Sequence, residues 1–172
     1  VKPLDPADAP ARSGELLTEI IGRHGSAGDM VRTMAHSPAL LQGYLDLSRA
    51  MKRVKLPRAL TERISLAVQE WIGCAACLAA HTEAGRAAGL SDTDIALARQ
   101  GTATDAREAA LIGFAVRVLA EPASISQEDV ADLRAHGWDD RAVADVVGLV
   151  VLNQLTGSFN LVAGISGPDA HR

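Results

Sequence analysis

Apolar positions along this chain recur at steps of three and four, and that period predicts helices almost throughout. Leu16, Leu17, Ile20 and Ile21 share one helical face, which Gly25 and Gly28 close. A short helical turn is expected over Met30 to Met34. Ser37 and Pro38 read as an N-cap and the proline of a first helical position. Leu40, Leu41, Tyr44, Leu45, Ser48 and Met51 carry that helix forward. Leu56-Pro57 opens the next, with a stripe of Leu60, Ile64, Ala67, Val68, Trp71 and Ile72 that assigns Trp71 to the core. Gly73 interrupts it, and a further helix is expected from Cys74 to Ala88, with Gly89 just past its end. Ser91 with Asp94 resembles a capping box before Ile95 and Leu97. Asp105 with Glu108 opens a helix bearing Leu111, Phe114, Ala115, Val118 and Leu119, which Pro122 stops. Ser126 caps a short one carrying Val130 and Leu133, stopped at Gly137. The last begins near Asp139, carries Val143, Val146, Val147, Val150 and Val151, and reaches the region of Asn160. The valines alone would suit a buried strand, but they lie inside a long helical period. The expected fold is all-α, six to eight helices in one domain over residues 13–172, after an extended arm, residues 1–12, that holds three prolines.

Composition narrows the function classes. A chain of 172 residues buries a core without a metal or disulfide to hold it. With 48% hydrophobic and 22% charged residues it is not a disordered chain. A net charge of -4 argues against the basic face of a nucleic-acid binder. The longest apolar run, Val146 to Leu152, is broken by Gly148 and falls short of the roughly 18 residues of a membrane span. Neither nucleic acid nor membrane is therefore an expected partner. Val1 to Pro10 lacks the charged-then-apolar pattern of a signal segment, so a cytoplasmic location is the default expectation.

The candidate chemistry is concentrated in one stretch. The only two cysteines, Cys74 and Cys77, are too few for a disulfide framework, and in a cytosolic setting such a pair points to redox or metal chemistry. Both fall in the first turn of an expected helix, where unpaired N–H groups and the helix dipole favour a thiolate. His81 lies four residues after Cys77, on the same face, where an imidazole can take a thiol proton. Other readings stay open. The cysteines could be ordinary small core residues in an Ala-rich helix. C-x2-C-x3-H also supplies three zinc ligands, with His24, His36, His136 or His171 as a fourth, although structural zinc sites set their ligand pairs on separate elements. A thioredoxin-type pair would follow a strand, whereas helical stripes precede this one.

Glu62, eleven residues, Cys74, two residues, Cys77, three residues and His81 form the pattern E-x11-C-x2-C-x3-H. It resembles the signature of the alkylhydroperoxidase D-like (AhpD-like) branch of the carboxymuconolactone decarboxylase superfamily. Leu56-Pro57 before it, and Thr82, Ala84 and Ala87-Ala88-Gly89-Leu90-Ser91 after it, agree with that likeness. So do His36-Ser37-Pro38-Ala39-Leu40 upstream and Asn153 and Phe159-Asn160-Leu161 downstream. The resemblance implies an AhpD-like helical bundle and a thiol peroxidase. In it Cys77 attacks a hydroperoxide, Cys74 resolves, and His81 with Glu62 relays the proton. It implies recycling by an external dithiol, no metal, flavin or haem cofactor, and a homo-oligomer, a trimer or a multiple of one. A chain reversal near Gly73 would let Glu62 and His81 meet across the helix pair, where a carboxylate fixes the imidazole's tautomer. Read without the likeness, Glu62 is a solvated first-turn acid. Some relatives carry a second histidine just before the second cysteine, where this chain has Ala76. A non-catalytic dithiol sensor or binding module, and a decarboxylase-like lyase, are the alternatives. Glu70 and Glu83 are expected as surface charges, His36 in a local hydrogen bond, and Asn153 and Asn160 satisfying buried groups at a subunit contact.

Overall fold

Side-chain caps set most of the helix starts. Ser37 Oγ accepts from the Leu40 amide, Asp105 from Glu108 and Asp139 from Ala142. Ser91 with Asp94, and Ser126 with Asp129, form reciprocal capping boxes. The computed structural model describes residues 1–166, and every regular element in them is helical. In chain order these are α1 (Ala11–His24), α2 (Asp29–Met34), α3 (Pro38–Met51), α4 (Arg58–Ile72), α5 (Ala75–Ala87), α6 (Asp92–Arg99), α7 (Ala106–Ala120), a 3₁₀ turn (Pro122–Ser124), α8 (Gln127–Ala135) and α9 (Asp140–Ala163). The all-α expectation holds. The nine α-helices among the described residues exceed the expected six to eight, because the six residues of α2 stand as a helix of their own. The valine cluster lies inside α9, as its period requires.

Helix α4 is the hub, packed by α5, α6, α7 and α9. Leu60, Ile64 and Val68 of α4 are fully buried against Leu111, Ile112 and Ala115 of α7 and Val146 and Val150 of α9. Each such aliphatic side chain contributes about 1.5–3 kcal/mol of burial. A smaller cluster joins Leu16 and Leu17 of α1, Met34 of α2 and Leu41 of α3. The N-terminal segment docks onto that cluster. The Leu4 amide donates to Arg32 O, the Val1 ammonium donates to Ala163 O at 2.7 Å, and α1 already begins at Ala11.

Two glycines shape the region around the cysteines. Gly73, at φ 81°, ends α4 in the left-handed conformation and turns the chain into α5. At Gly157 a Cβ would lie 2.5 Å from Gln69 Oε1 and 3.1 Å from Ile72 Cγ2, so only glycine lets α9 lie this close to α4. Trp71 departs from its expected place. It is 58% exposed, while Gln69 and Ile72 on either side of it pack against α9, so the apolar stripe is covered on only part of its width here. Helix α9 has 24 residues and is long and apolar enough to cross a membrane, yet it is a packing partner of α4, α7 and α3.

Candidate active site

The turn at Gly73 places Cys74 at the N-cap of α5, where its Sγ accepts the Cys77 amide at 3.3 Å. Cys77 follows in the first turn, and the two are joined as a disulfide with Cα atoms 5.3 Å apart. Both are buried, but Cys77 lines a cavity of about 480 Å³ whereas Cys74 stands behind it. Much of the cavity wall is apolar, from Met30, Met51, Leu56, Leu149 and Leu152. Tyr44 lines it as well; burial pushes its hydroxyl pKa up against the opposing effect of a hydrogen bond with Ser48, so it stays neutral.

Glu62 and His81 meet across the α4–α5 pair. Glu62 Oε2 lies 2.8 Å from His81 Nδ1, and the carboxylate is 4% exposed, not the solvated acid its position alone suggested. Its other oxygen is held by Arg58 at 2.6 Å, one helical turn earlier. A carboxylate on Nδ1 fixes the ring and leaves Nε2 as its remaining proton-carrying atom. His81 lines the same cavity as Cys77. Among the described residues no hydrogen bond joins His81 to either sulfur, so the direct thiol–imidazole contact open from the i,i+4 spacing is not formed in the disulfide state.

The sulfurs have a different neighbour. Asn160 of α9 places Nδ2 3.3 Å from Cys77 Sγ and 4.0 Å from Cys74 Sγ. Asn153, two turns earlier, is held inside the chain, donating to Ser65 Oγ at 3.1 Å and accepting from Gln69 Nε2 at 3.0 Å. Both asparagines thus find partners within the chain. Sequence reasoning missed Arg58, which the i,i+4 spacing to Glu62 could have flagged, and missed what Asn160 touches, for which 83 residues of separation leave no signal.

The remaining candidates fall elsewhere. Glu70 pairs with Arg99 at 2.7 Å, and Glu83 is exposed. His36 bonds Lys2 O at 3.0 Å, a partner in the docked N-terminal segment rather than a local one. His136 Nδ1 lies 2.9 Å from Asp132 O. No group of three potential metal ligands is present among the described residues, and His171 lies outside them.

The site thus sets a disulfide-capable cysteine pair at a helix start, beside a carboxylate-held imidazole and a largely apolar cavity, in an all-helical domain. Residues 38–121, which contain all four signature residues, match the Carboxymuconolactone decarboxylase family, and that match supports the superfamily to which the signature points. Solved structures share the fold. An uncharacterized peroxidase-related protein from Ralstonia eutropha JMP134, described as an alkylhydroperoxidase AhpD core, superposes with a TM-score of 0.81 at 20% identity over 96% of this chain and 90% of that one. A peroxidase-related protein from Silicibacter sp. TM1040 gives 0.74 at 19% identity over 94% and 87%. The debrominase Bmp8 gives 0.77 at 18% identity over 99% and 91%. No curated protein sequence matches significantly.

Proposed function

We propose that this protein is a thiol peroxidase that reduces organic hydroperoxides. The observation that carries the reading is the placement of Cys77 on a mainly apolar cavity whose lining also includes His81, with Glu62 bonded to its Nδ1. In the reduced state His81 takes the Cys77 proton, directly or through one water. The thiolate attacks the terminal peroxide oxygen and the O–O bond breaks. Its electron pair leaves on the alkoxide, which His81 protonates to the alcohol, and Cys77 becomes a sulfenic acid. The Cys74 thiolate then attacks Cys77 Sγ, hydroxide leaves as water, and the disulfide forms. An external dithiol supplies two electrons by exchange and restores both thiols. No step calls on a metal, flavin or haem. The exposed apolar residues Trp71, Val147, Val151 and Val162 support assembly into a homo-oligomer, a trimer or a multiple of one; sedimentation as a monomer at micromolar concentration would refute it.

The test is dithiol-dependent consumption of an alkyl hydroperoxide by the purified protein. Cys77→Ser abolishes it. Cys74→Ser gives one oxidation event that stalls as sulfenic acid. A protein that oxidises its pair once without turnover is a dithiol sensor. If Cys77→Ser keeps full activity while Glu62→Gln removes it, a lyase reading replaces this one.

A second reading rests on the size and apolar lining of the cavity. A cysteine-to-alanine variant of Bmp8 was crystallised with 2,3,4-tribromopyrrole. In this chain the same pair could supply two electrons to a bromoarene, releasing bromide, with a proton replacing it on the ring and the disulfide as the oxidised product. Bromide release that exceeds peroxide turnover would favour that reading.

A further inference from the structure

The N-terminus of α5 serves the wrong sulfur for the chemistry that the cavity invites. The Cys77 amide points at Cys74 Sγ, so the helix-start contribution favours charge on Cys74, the sulfur behind the cavity. Cys77 Sγ faces the substrate space and receives no hydrogen bond from His81 among the described residues. Ala76 beside it has no side-chain donor. The side-chain donor that does reach it comes from the far end of the chain, from Asn160 Nδ2 at 3.3 Å.

We propose that Asn160 is a catalytic residue that holds the Cys77 sulfur as its thiolate by donating a hydrogen bond to it. The inference rests on the reading of Cys77 as the reacting thiol, and it adds a residue to that site.

Two further observations support it. A disulfide sulfur and a thiolate only accept, so the NH₂ end of the amide is the end that satisfies them. Among the described residues Asn160 Oδ1 is buried without a partner, and the side chain's hydrogen bonds go to the two sulfurs alone. A 7% exposed amide with an orphaned oxygen is costly for stability, and a donor task at the sulfur explains why an asparagine stands there. In the disulfide the N–H···S contact is weak. On the thiolate it becomes charge-assisted and favours the ionised form over the thiol. No proton is transferred: the amide keeps its hydrogen, and the thiol proton goes to His81 or solvent.

The test measures the Cys77 pKa without peroxide, so its failure is separable from failure of the peroxidase reading. In Cys74→Ser, Cys77 is the single thiol, and serine keeps the helix cap. Ultraviolet thiolate absorbance against pH should give a Cys77 pKa below the free-cysteine value of about 8.5. Adding Asn160→Leu should raise it by about one unit, and the nearly isosteric Asn160→Asp, which sets a carboxylate there, by more. Alkylation by iodoacetamide should slow about tenfold below both pKa values and converge with Cys74→Ser above them. A folded Asn160→Leu or Asn160→Asp protein with an unshifted pKa overturns the proposal, as does a rate loss that is uniform with pH. If neither variant folds, Cys74→Ser alone decides: a Cys77 pKa at or above about 8.5 overturns it.

Discussion

Glu62 has both oxygens engaged, one by His81 and one by Arg58. Both partners line the cavity, but the Arg58 side chain is 65% exposed and open to solvent. The carboxylate orients the imidazole, so its loss should reach the chemistry only through His81. Glu62→Gln should lower dithiol-dependent peroxide turnover by about ten- to a hundredfold while leaving the circular dichroism spectrum intact. His81→Ala, which removes the base itself, should cost more, about a hundredfold or beyond, and still permit thiol oxidation. Arg58→Ala should cost no more than a few-fold, because water can replace an exposed guanidinium at Oε1. An Arg58→Ala loss as large as that of His81→Ala would make the arginine a substrate contact rather than a clamp.

At the scale of helices, the site depends on how closely α9 approaches the α4–α5 pair, since α9 carries Asn160 while the start of α5 carries the cysteines. Gly157 sets that approach. Gly157→Ala should destabilise the protein by about 1–3 kcal/mol in urea denaturation, because Gln69 and Ile72 are buried or packed and have little room to move. It should also slow thiol alkylation by displacing Asn160. Ser126→Ala removes the cap of α8, an element remote from the cavity, and should cost about 1 kcal/mol with catalysis unchanged. Equal effects of the two changes on the site would mean that α9 is not what positions it.

For the molecule as a whole, two carboxylates that pin helix starts to neighbouring helices contribute a pH-dependent part of the stability. The Ser91 hydroxyl and amide, with Arg63 of α4, hold the Asp94 carboxyl down to about 2, against an ordinary value of 3.8. Arg117 of α7 and the Ser126 cap hold Asp129 lower still. Both folded values lie below the unfolded one. Their stabilisation is therefore complete above about pH 4–5 and is lost as pH falls through the folded values. Unfolding free energy should decline from about pH 4 downward, and Asp94→Asn combined with Asp129→Asn should flatten that decline. A pH dependence unchanged by the double substitution would place the acid sensitivity in other groups.

By itself the sequence determined the helices, because helix period, caps and glycine stops act within a few residues of one another. Ser37, Ser91, Ser126 and Gly73 each do in the structure what their local chemistry dictates. It also placed the cysteines at a helix start; the Glu62–His81 contact was legible through the family resemblance, which the reversal at Gly73 made geometrically possible, whereas position alone read Glu62 as a solvated acid. Trp71 was misread because a stripe reports which face of a helix is apolar and not which of its positions a neighbouring helix covers. Tertiary structure alone decided which sulfur faces the cavity, and that a buried amide from α9 reaches it across 83 residues. Those outcomes depend on where helices distant in the chain cross, and that is fixed by the packing of whole faces, to which no single residue spacing is a guide.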